Sequence, residues 1–187
     1  MIPIEISARH VHLSKDDLEI LFGKDYKLKN IKQLTQPSDF VAEETVDLKS
    51  GDKEIKKVRV VGPERNQTQV EISMTDAVSL GVVPPIRISG DLKGSAKITL
   101  IGPKGVVDLN EGLIISGRHI HCNETEAKSL GIKNKDKVSV KVEGERSITF
   151  HNIAIRIGDK YKLCLHLDTD EGNAAGINKK TEGIIIK

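Results

Sequence analysis

Hydrophobic and polar residues alternate along most of this chain, a pattern typical of half-buried β-strands rather than long helices. Period-two or short β-branched runs predict strands over residues 45–48, 56–61, 69–73, 97–101, 106–109, 137–142, 147–156, 160–167 and 183–186. Gly, Pro, Asn and Asp clusters that form turns separate these runs. Many short strands with few helices favour β-barrels over a parallel α/β sheet.

Three short helices are predicted between the strands. Ser14 and Asn123 each stand where an N-cap belongs, with an acidic residue three positions later and a Gly beyond the last apolar residue. A weaker copy of this pattern runs from Glu71 to Gly81. By contrast, residues 24–44 show no regular period, and we expect an irregular excursion over the surface there.

One phrase of the sequence occurs twice, as Ile6–His12 and as Ile115–His121, each containing Arg-His-x-His. The two copies use four of the six histidines in the chain. In an extended strand the two histidines of each copy point to the same face, so each pair can offer two imidazoles to one metal ion. A two-metal centre is therefore the first hypothesis, and a purely structural role for the paired histidines is the alternative.

Each pair needs a third ligand. Glu71 is a candidate for the first pair because it shares a strand face with Gln69, although a solvated carboxylate is the simpler interpretation. For the second pair the choice lies between His151, which looks exposed, and His166, which we favour because its strand looks buried. Cys122 should point away from the histidines and serve as a core thiol.

Composition narrows the functional classes. Among 187 residues the aromatic content is 3% with no Trp, which argues against base stacking and hence against a nucleic-acid partner. The net charge is +2, with both signs mixed along the chain. Two cysteines without a Cys-x-x-Cys motif indicate reduced thiols in a cytosolic protein, and the absence of a leader pattern or an 18-residue apolar run argues against secretion and membrane insertion.

A phosphate site is suggested by the segment from Val58 to Arg65, in which Arg59 and Arg65 precede the Glu71 strand. Arginine suits bidentate phosphate contacts, whereas a turn arginine is more often simply solvated. The chain contains no P-loop, dinucleotide-binding Gly motif or nucleophile-elbow motif, so the reactions that those motifs support have no basis here.

Five ordered motifs together resemble the phosphate propanoyltransferase (phosphotransacylase) family associated with propanediol utilisation. The likeness is collinear and spans nearly the whole chain. The motifs are Ser7-x-Arg-His-Val-His-Leu-Ser14, Arg59-Val-x-Gly-Pro-x-Arg65, Thr68-Gln-Val-Glu-Ile-Ser73, Arg118-His-Ile-His121, and His166-x-Asp-Thr-Asp-Glu-x-Asn-Ala-Ala-Gly176.

The resemblance implies an enzyme that moves an acyl group reversibly between coenzyme A and inorganic phosphate, with acyl-CoA and acyl phosphate as its other partners. It implies a mainly β fold of two β-barrels capped by short helices, with the active site and two zinc ions between them. Residues 1–8 and 117–187 would form one discontinuous barrel, and residues 9–116 would form the other.

The family's functional residues map onto positions of this chain. By resemblance, one zinc ion would be held by His10, His12 and Glu71, and the other by His119, His121 and His166. Arg65 would be the catalytic residue that binds phosphate. Coenzyme A contacts would fall at Ser7, Lys32, Arg59 and Asn173.

The chain departs from family members that enter bacterial microcompartments, because no amphipathic targeting extension precedes Met1. We therefore expect a cytosolic form that makes acetyl phosphate, with acetyl and propanoyl both open as the acyl group. A homodimer is one oligomeric state compatible with the sequence. Two alternative functions are a dinuclear metallohydrolase, whose (β/α)₈ barrel needs about 250 residues, and a non-catalytic metal-binding β-barrel.

Overall fold

The computed structural model describes residues 1–178 and 180–186, so the predicted 117–187 segment is described except at 179 and 187. Its contacts divide the chain into two compact units. The first unit joins Met1–Ala8 to the chain from Gly117 onward, and the second is Arg9–Ser116. Both points at which the chain passes from one unit to the other fall inside the duplicated phrase.

Short strands make up most of the described structure, and short helices interrupt them. The strands are β1 (Ile2–Ser7), β2 (His10–His12), β3 (Asn30–Gln33), β4 (Phe40–Ser50), β5 (Lys53–Gly62), β6 (Gln69–Ile72), β7 (Ile86–Arg87), β8 (Ala96–Ile101), β9 (Val106–Ser116), β10 (His119–Cys122), β11 (Lys137–Val142), β12 (Ile148–Ile157), β13 (Cys164–Asp168) and β14 (Glu182–Ile186). The helices are α1 (Lys15–Phe22), α2 (Met74–Leu80), α3 (Glu124–Leu130) and α4 (Thr169–Ala175).

The first unit is a closed barrel with the strand order β1-β13-β10-β12-β11-β14. β1 runs parallel to β13, and β14 closes the barrel by pairing antiparallel with both β1 and β11. The interior is filled by aliphatic side chains such as Ile120, Val140 and Ile153, all fully buried. Because the chain has few aromatic residues, these buried aliphatic side chains provide most of the apolar surface that stabilises the barrel.

The second unit closes a barrel of its own. The order β4-β5-β2-β6-β9 becomes a ring because β8 pairs with both β9 and β4. β3 and β7 lie beside this ring, paired with β4 and β9 respectively. Its core again consists of aliphatic residues, among them Leu13, Leu48 and Leu113. The prediction of a mainly β fold with two barrels and short helices is confirmed.

The prediction of an irregular excursion over 24–44 is wrong at two places. Asn30–Gln33 forms β3, and β4 already begins at Phe40. All four residues of β3 are exposed. A strand without a buried face has no reason to alternate apolar and polar residues, so its sequence carries no period-two signal.

The three predicted helices are present, with Ser14, Ser73 and Asn123 as N-caps. α4 was not among the three predicted helices, because its capping residues lie within an acidic run directly after the His166 strand. Asp168 caps this helix and Glu171 completes a reciprocal capping box, while Gly176 ends it with a φ of 63°. Gly172 allows α4 to lie close to β1, since a Cβ there would meet the Ile6 side chain at 2.5 Å.

None of the helices among the described residues is long and apolar enough to cross a membrane.

Replacing Asp168 by Ala should lower the free energy of unfolding by about 1 kcal/mol, because the N-cap acceptor of α4 is lost. Replacing it by Asn, which also accepts a hydrogen bond from the helix, should leave stability within about 0.5 kcal/mol of the wild type. Urea unfolding followed by circular dichroism measures both values. Equal losses in the two variants would show that the carboxylate does more than cap α4.

Candidate functional site

Strand register places a third donor opposite the first histidine of each pair. In the second unit, β2 and β6 run antiparallel with His10 directly opposite Glu71. In the first unit, β10 and β13 run antiparallel with His119 directly opposite His166. Directly opposed residues have their side chains on the same sheet face, so each unit gathers three donors there.

The donor atoms of the second-unit triad, His10, His12 and Glu71, all lie within 4.8 Å of one another. The Nε2 atoms of His10 and His12 are 3.2 Å apart, and His10 Nε2 is 3.7 Å from Glu71 Oε1. Two ligands of a tetrahedral zinc ion at its usual bond lengths stand about 3.3 Å apart. The spacing and the nitrogen–oxygen donor set therefore fit a zinc ion.

One histidine in each unit is held by a backbone carbonyl. His12 Nδ1 lies 2.9 Å from the Val61 carbonyl oxygen, and His119 Nδ1 lies 2.9 Å from that of Gly117. Because a carbonyl only accepts, each Nδ1 must carry the hydrogen, which leaves Nε2 as the lone-pair donor. Burial lowers the pKa of His12 well below its usual value, and His10 and Arg65 lower it further. His12 is therefore neutral at pH 7, the form that binds metals.

The first-unit triad consists of His119, His121 and His166, whose donor atoms also lie within 4.8 Å of one another. Three imidazoles form a donor set typical of zinc. Tyr161 covers one side of this cluster, with its ring centroid 4.1 Å from that of His121. The favoured choice of His166 over His151 agrees with this geometry, since His151 is exposed on β12 and contacts Ser139 Oγ at 2.7 Å.

Two further side chains border His166. Glu5 on β1 pairs in register with His166, and Cys164 on β13 pairs with His121. A carboxylate oxygen of Glu5, the Cys164 sulfur and a His166 nitrogen lie within 4.8 Å of one another. Sequence reasoning missed Glu5, because nothing marks a single acidic residue in an N-terminal strand as a neighbour of a residue far along the chain.

The arginine of each Arg-His-x-His copy pairs with a helix cap. Arg9 forms an ion pair with Asp76 of α2, and Arg118 Nε lies 2.6 Å from Glu171 Oε1 of α4. In both cases the acid belongs to the capping box of the helix that follows the third-ligand strand. These ion pairs give both arginines a structural role, because each one joins the two strands that carry a triad.

Arg65 lies close enough to the second-unit triad for its charge to lower the pKa of His12. Its guanidinium donates to Ser89 Oγ at 3.0 Å and lies 3.6 Å from Asp39 Oδ2. Its backbone N–H donates to the Leu13 carbonyl at 2.9 Å, directly after β2. About a third of the side chain is exposed, so the guanidinium can meet a ligand from solvent.

Gln69 connects Arg65 to the triad, and sequence analysis noted only that it shares a face with Glu71. The Gln69 side chain is 1% exposed and stands opposite His12 in the sheet. Its amide nitrogen donates to Glu71 Oε1 and, at 2.8 Å, to Ser89 Oγ. Ser89 was not predicted as a site residue, because it lies in the loop after β7, where the alternation of apolar and polar residues that marks a strand does not apply.

The proposed coenzyme A residues fall into two neighbourhoods. In the first unit, Ser7 is paired with Asp168, the cap of the helix that carries the exposed Asn173. In the second unit, Lys32 lies exposed on β3, paired with Val41 of β4. Arg59 donates to the carbonyl of the next residue of β4, Ala42, at 3.2 Å, and at 2.6 Å to that of Glu43.

Neither cysteine is placed for nucleophilic chemistry. Cys122 and Cys164 are both fully buried and free of disulfide bonds. Burial raises the pKa of the Cys122 thiol, and it raises that of Cys164 to about 12. The prediction that Cys122 is a core thiol is confirmed, because it packs within the aliphatic cluster of the first unit.

Comparisons with known proteins identify the family of this chain. A sequence profile of the family described as Phosphate propanoyltransferase matches residues 3–178. The chain is 49% identical over 176 residues to Phosphate propanoyltransferase of Thermotoga maritima, covering 94% of this chain and 84% of that protein. It is 48% identical over 184 residues to the protein of that name from Priestia megaterium, covering 98% and 85%. The Clostridioides difficile protein of that name is 44% identical over 186 residues, covering 100% and 89%. The chain belongs to the phosphate propanoyltransferase family.

Proposed function

We propose that this protein transfers a short acyl group, acetyl or propanoyl, between coenzyme A and inorganic phosphate at a dinuclear zinc site. The observation that carries the proposal is the pair of triads, each formed by a His-x-His strand and a third donor on its antiparallel neighbour. Family membership supplies the reaction class, since the relatives above carry the name of an enzyme that transfers propanoyl groups to phosphate.

The residues that would hold zinc are His10, His12 and Glu71 in one unit and His119, His121 and His166 in the other. Zinc bound there supplies a Lewis acid for the negative charge that develops on the acyl carbonyl oxygen, together with a positive charge that orients phosphate.

Arg65 has the properties of a phosphate-binding residue. Its guanidinium is part exposed and fixed on one side by Ser89, and its charge reaches the second-unit triad. A planar guanidinium can hold two phosphate oxygens at once, which aligns one of the other two oxygens for attack on the acyl carbon. The nearby Asp39 carboxylate, 3.6 Å away, would give way to the incoming phosphate.

Acyl transfer is proposed to be direct. A phosphate oxygen attacks the thioester carbonyl carbon, the carbon–sulfur bond breaks, and coenzyme A leaves as its thiolate. An acyl-enzyme on cysteine is disfavoured because both thiols are fully buried with raised pKa values. The kinetics should therefore follow a sequential pattern rather than a ping-pong pattern.

The alternative functions are less well supported. A metallohydrolase of the (β/α)₈ type has no counterpart in the described residues, which form two barrels that each combine parallel and antiparallel strand pairs. A non-catalytic metal-binding barrel gives no reason for Arg65 to lie partly exposed beside the potential metal ligands His10, His12 and Glu71. Incubation with acetyl phosphate and coenzyme A separates the three: a transferase makes thioester, a hydrolase only consumes acetyl phosphate, and a binding protein does neither.

Replacing Arg65 by Ala should lower kcat/KM for phosphate by about 100- to 1,000-fold, because the charge that binds and aligns the anion is lost. Arg65→Lys keeps the charge without the planar fork and should fall between that variant and the wild type. Thiol release from propanoyl-CoA in the presence of phosphate measures both. Near-normal kinetics of Arg65→Ala, with unchanged metal content, would remove Arg65 from the mechanism.

Metal content tests the donor assignment independently. The purified wild type should hold about two zinc ions per chain, and His119→Ala should hold about one, because a two-ligand remnant binds zinc weakly. His151→Ala is the matched control, since this exposed histidine lies in the same unit outside the triad. Inductively coupled plasma mass spectrometry gives both numbers. Unchanged zinc in His119→Ala, or an equal loss in His151→Ala, would contradict the assignment.

A further inference from the structure

Two groups that can only donate hydrogen bonds surround the Ser89 hydroxyl. Arg65 Nη1 lies 3.0 Å from Ser89 Oγ, and Gln69 Nε2 lies 2.8 Å from it. A guanidinium N–H and an amide NH₂ have no acceptor capacity, so Ser89 Oγ accepts from both. Its two lone pairs are thereby used.

The orientation of the Gln69 amide follows from its neighbours. The Gly90 backbone N–H lies 2.7 Å from Gln69 Oε1, and a backbone N–H can only donate, so the atom facing it must be the amide oxygen. The amide nitrogen then faces Glu71 Oε1 and Ser89 Oγ, both of which accept. Gln69 is 1% exposed, so its amide cannot turn without breaking three contacts.

The hydrogen of the Ser89 hydroxyl is therefore directed away from both neighbours. Within the part of the chain that the structure describes, Arg65 and Gln69 are the side chains that contact this hydroxyl, and neither can accept. A hydroxyl whose lone pairs are both used acts as a donor toward whatever acceptor is brought to it. Ser89 is only partly buried, so a ligand or water can reach it.

We propose that Ser89 is a second phosphate-binding residue, which donates its O–H to an oxygen of the phosphate that Arg65 holds. The inference rests on the proposed function and names a further residue of the same site. A phosphate ion presents several acceptor oxygens and is charged, so a hydroxyl committed to donation beside a guanidinium matches it. Gln69 is then a positioning residue, because it keeps the Ser89 lone pairs occupied and links them to Glu71.

A purely supporting role for Ser89 makes a different prediction. If the hydroxyl only held Arg65 in place, its removal would matter solely through Arg65. If the hydroxyl binds phosphate directly, its removal weakens phosphate binding even when residue 65 has already been changed. A double-mutant comparison separates these roles.

The first arm of the experiment compares Ser89→Ala with the wild type in the thiol-release assay. We expect KM for phosphate to rise about 10- to 100-fold, the loss typical of a hydrogen bond to a charged group, with KM for propanoyl-CoA changed less than about twofold. Ser89→Thr keeps the hydroxyl and should restore KM for phosphate to within about threefold of the wild type. Unchanged KM for phosphate in Ser89→Ala would overturn the proposal.

Ser79→Ala is the matched control. Ser79 lies exposed on α2 in the same unit, and its hydroxyl donates to the Thr75 carbonyl at 2.9 Å. Its removal should leave both KM values as they are. If circular dichroism showed that Ser89→Ala is unfolded, Ser89→Cys would replace it, because a thiol is similar in size to a hydroxyl but a weak donor. The same rise in KM for phosphate is expected for Ser89→Cys.

The second arm measures binding of inorganic phosphate by isothermal titration calorimetry, without acyl substrate. Ser89→Ala should raise the phosphate Kd in the wild type and also in the Arg65→Lys background, by about fivefold or more in each. Loss of the effect in Arg65→Lys would overturn direct binding. Because this arm needs no turnover, a chain that binds phosphate through Ser89 but forms no thioester would refute the proposed function alone.

Discussion

Antiparallel pairing between a His-x-His strand and its neighbour is the constraint on which both candidate metal sites depend. Sheet register places His10 opposite Glu71 and His119 opposite His166. A shift of one residue in either pairing would turn the third donor to the opposite face of the sheet and leave a two-ligand site. The geometry of each candidate site therefore depends on the strand register of its barrel.

Helix caps hold this register from outside the sheet. The strand that carries each third donor leads directly into a capped helix, α2 or α4, and the capping acid binds the arginine that precedes the paired histidines. One ion pair thus joins the two strands of each site at the end nearest the metal donors. Burial raises the pKa of Glu171, and the positive charge of Arg118 opposes that rise. An unpaired carboxylate at this buried position would destabilise the fold, so the ion pair with Arg118 matters there.

The two units repeat this frame with different side chains. In the second unit, Gln69 lies opposite the second histidine and Ile114 lies beside the third donor. In the first unit, Cys164 lies opposite the second histidine and Glu5 lies beside the third donor. The second unit consequently places its carboxylate among the donors, with a polar network reaching Arg65. The first unit has an all-histidine triad and keeps its carboxylate on the adjoining strand.

Much of this arrangement is visible in the sequence, because its signals are local. Alternation revealed the strands that have one buried face, and capping residues revealed the three helices that follow Ser14, Ser73 and Asn123. The fully exposed β3 had no such signal, and the capping box of α4 was hidden within an acidic run. Glu5 and Ser89 could not be found by pattern, since each gains its role from residues brought near it only by the closed barrels.

Anomalous diffraction at the zinc absorption edge, on crystals of the purified protein, tests the central claim most directly. The account predicts two peaks, one bound by His10, His12 and Glu71 and the other by His119, His121 and His166, with metal–ligand distances of about 2.0–2.2 Å. Peaks at other residues, or a single peak that leaves one triad without metal in zinc-saturated crystals, would contradict it.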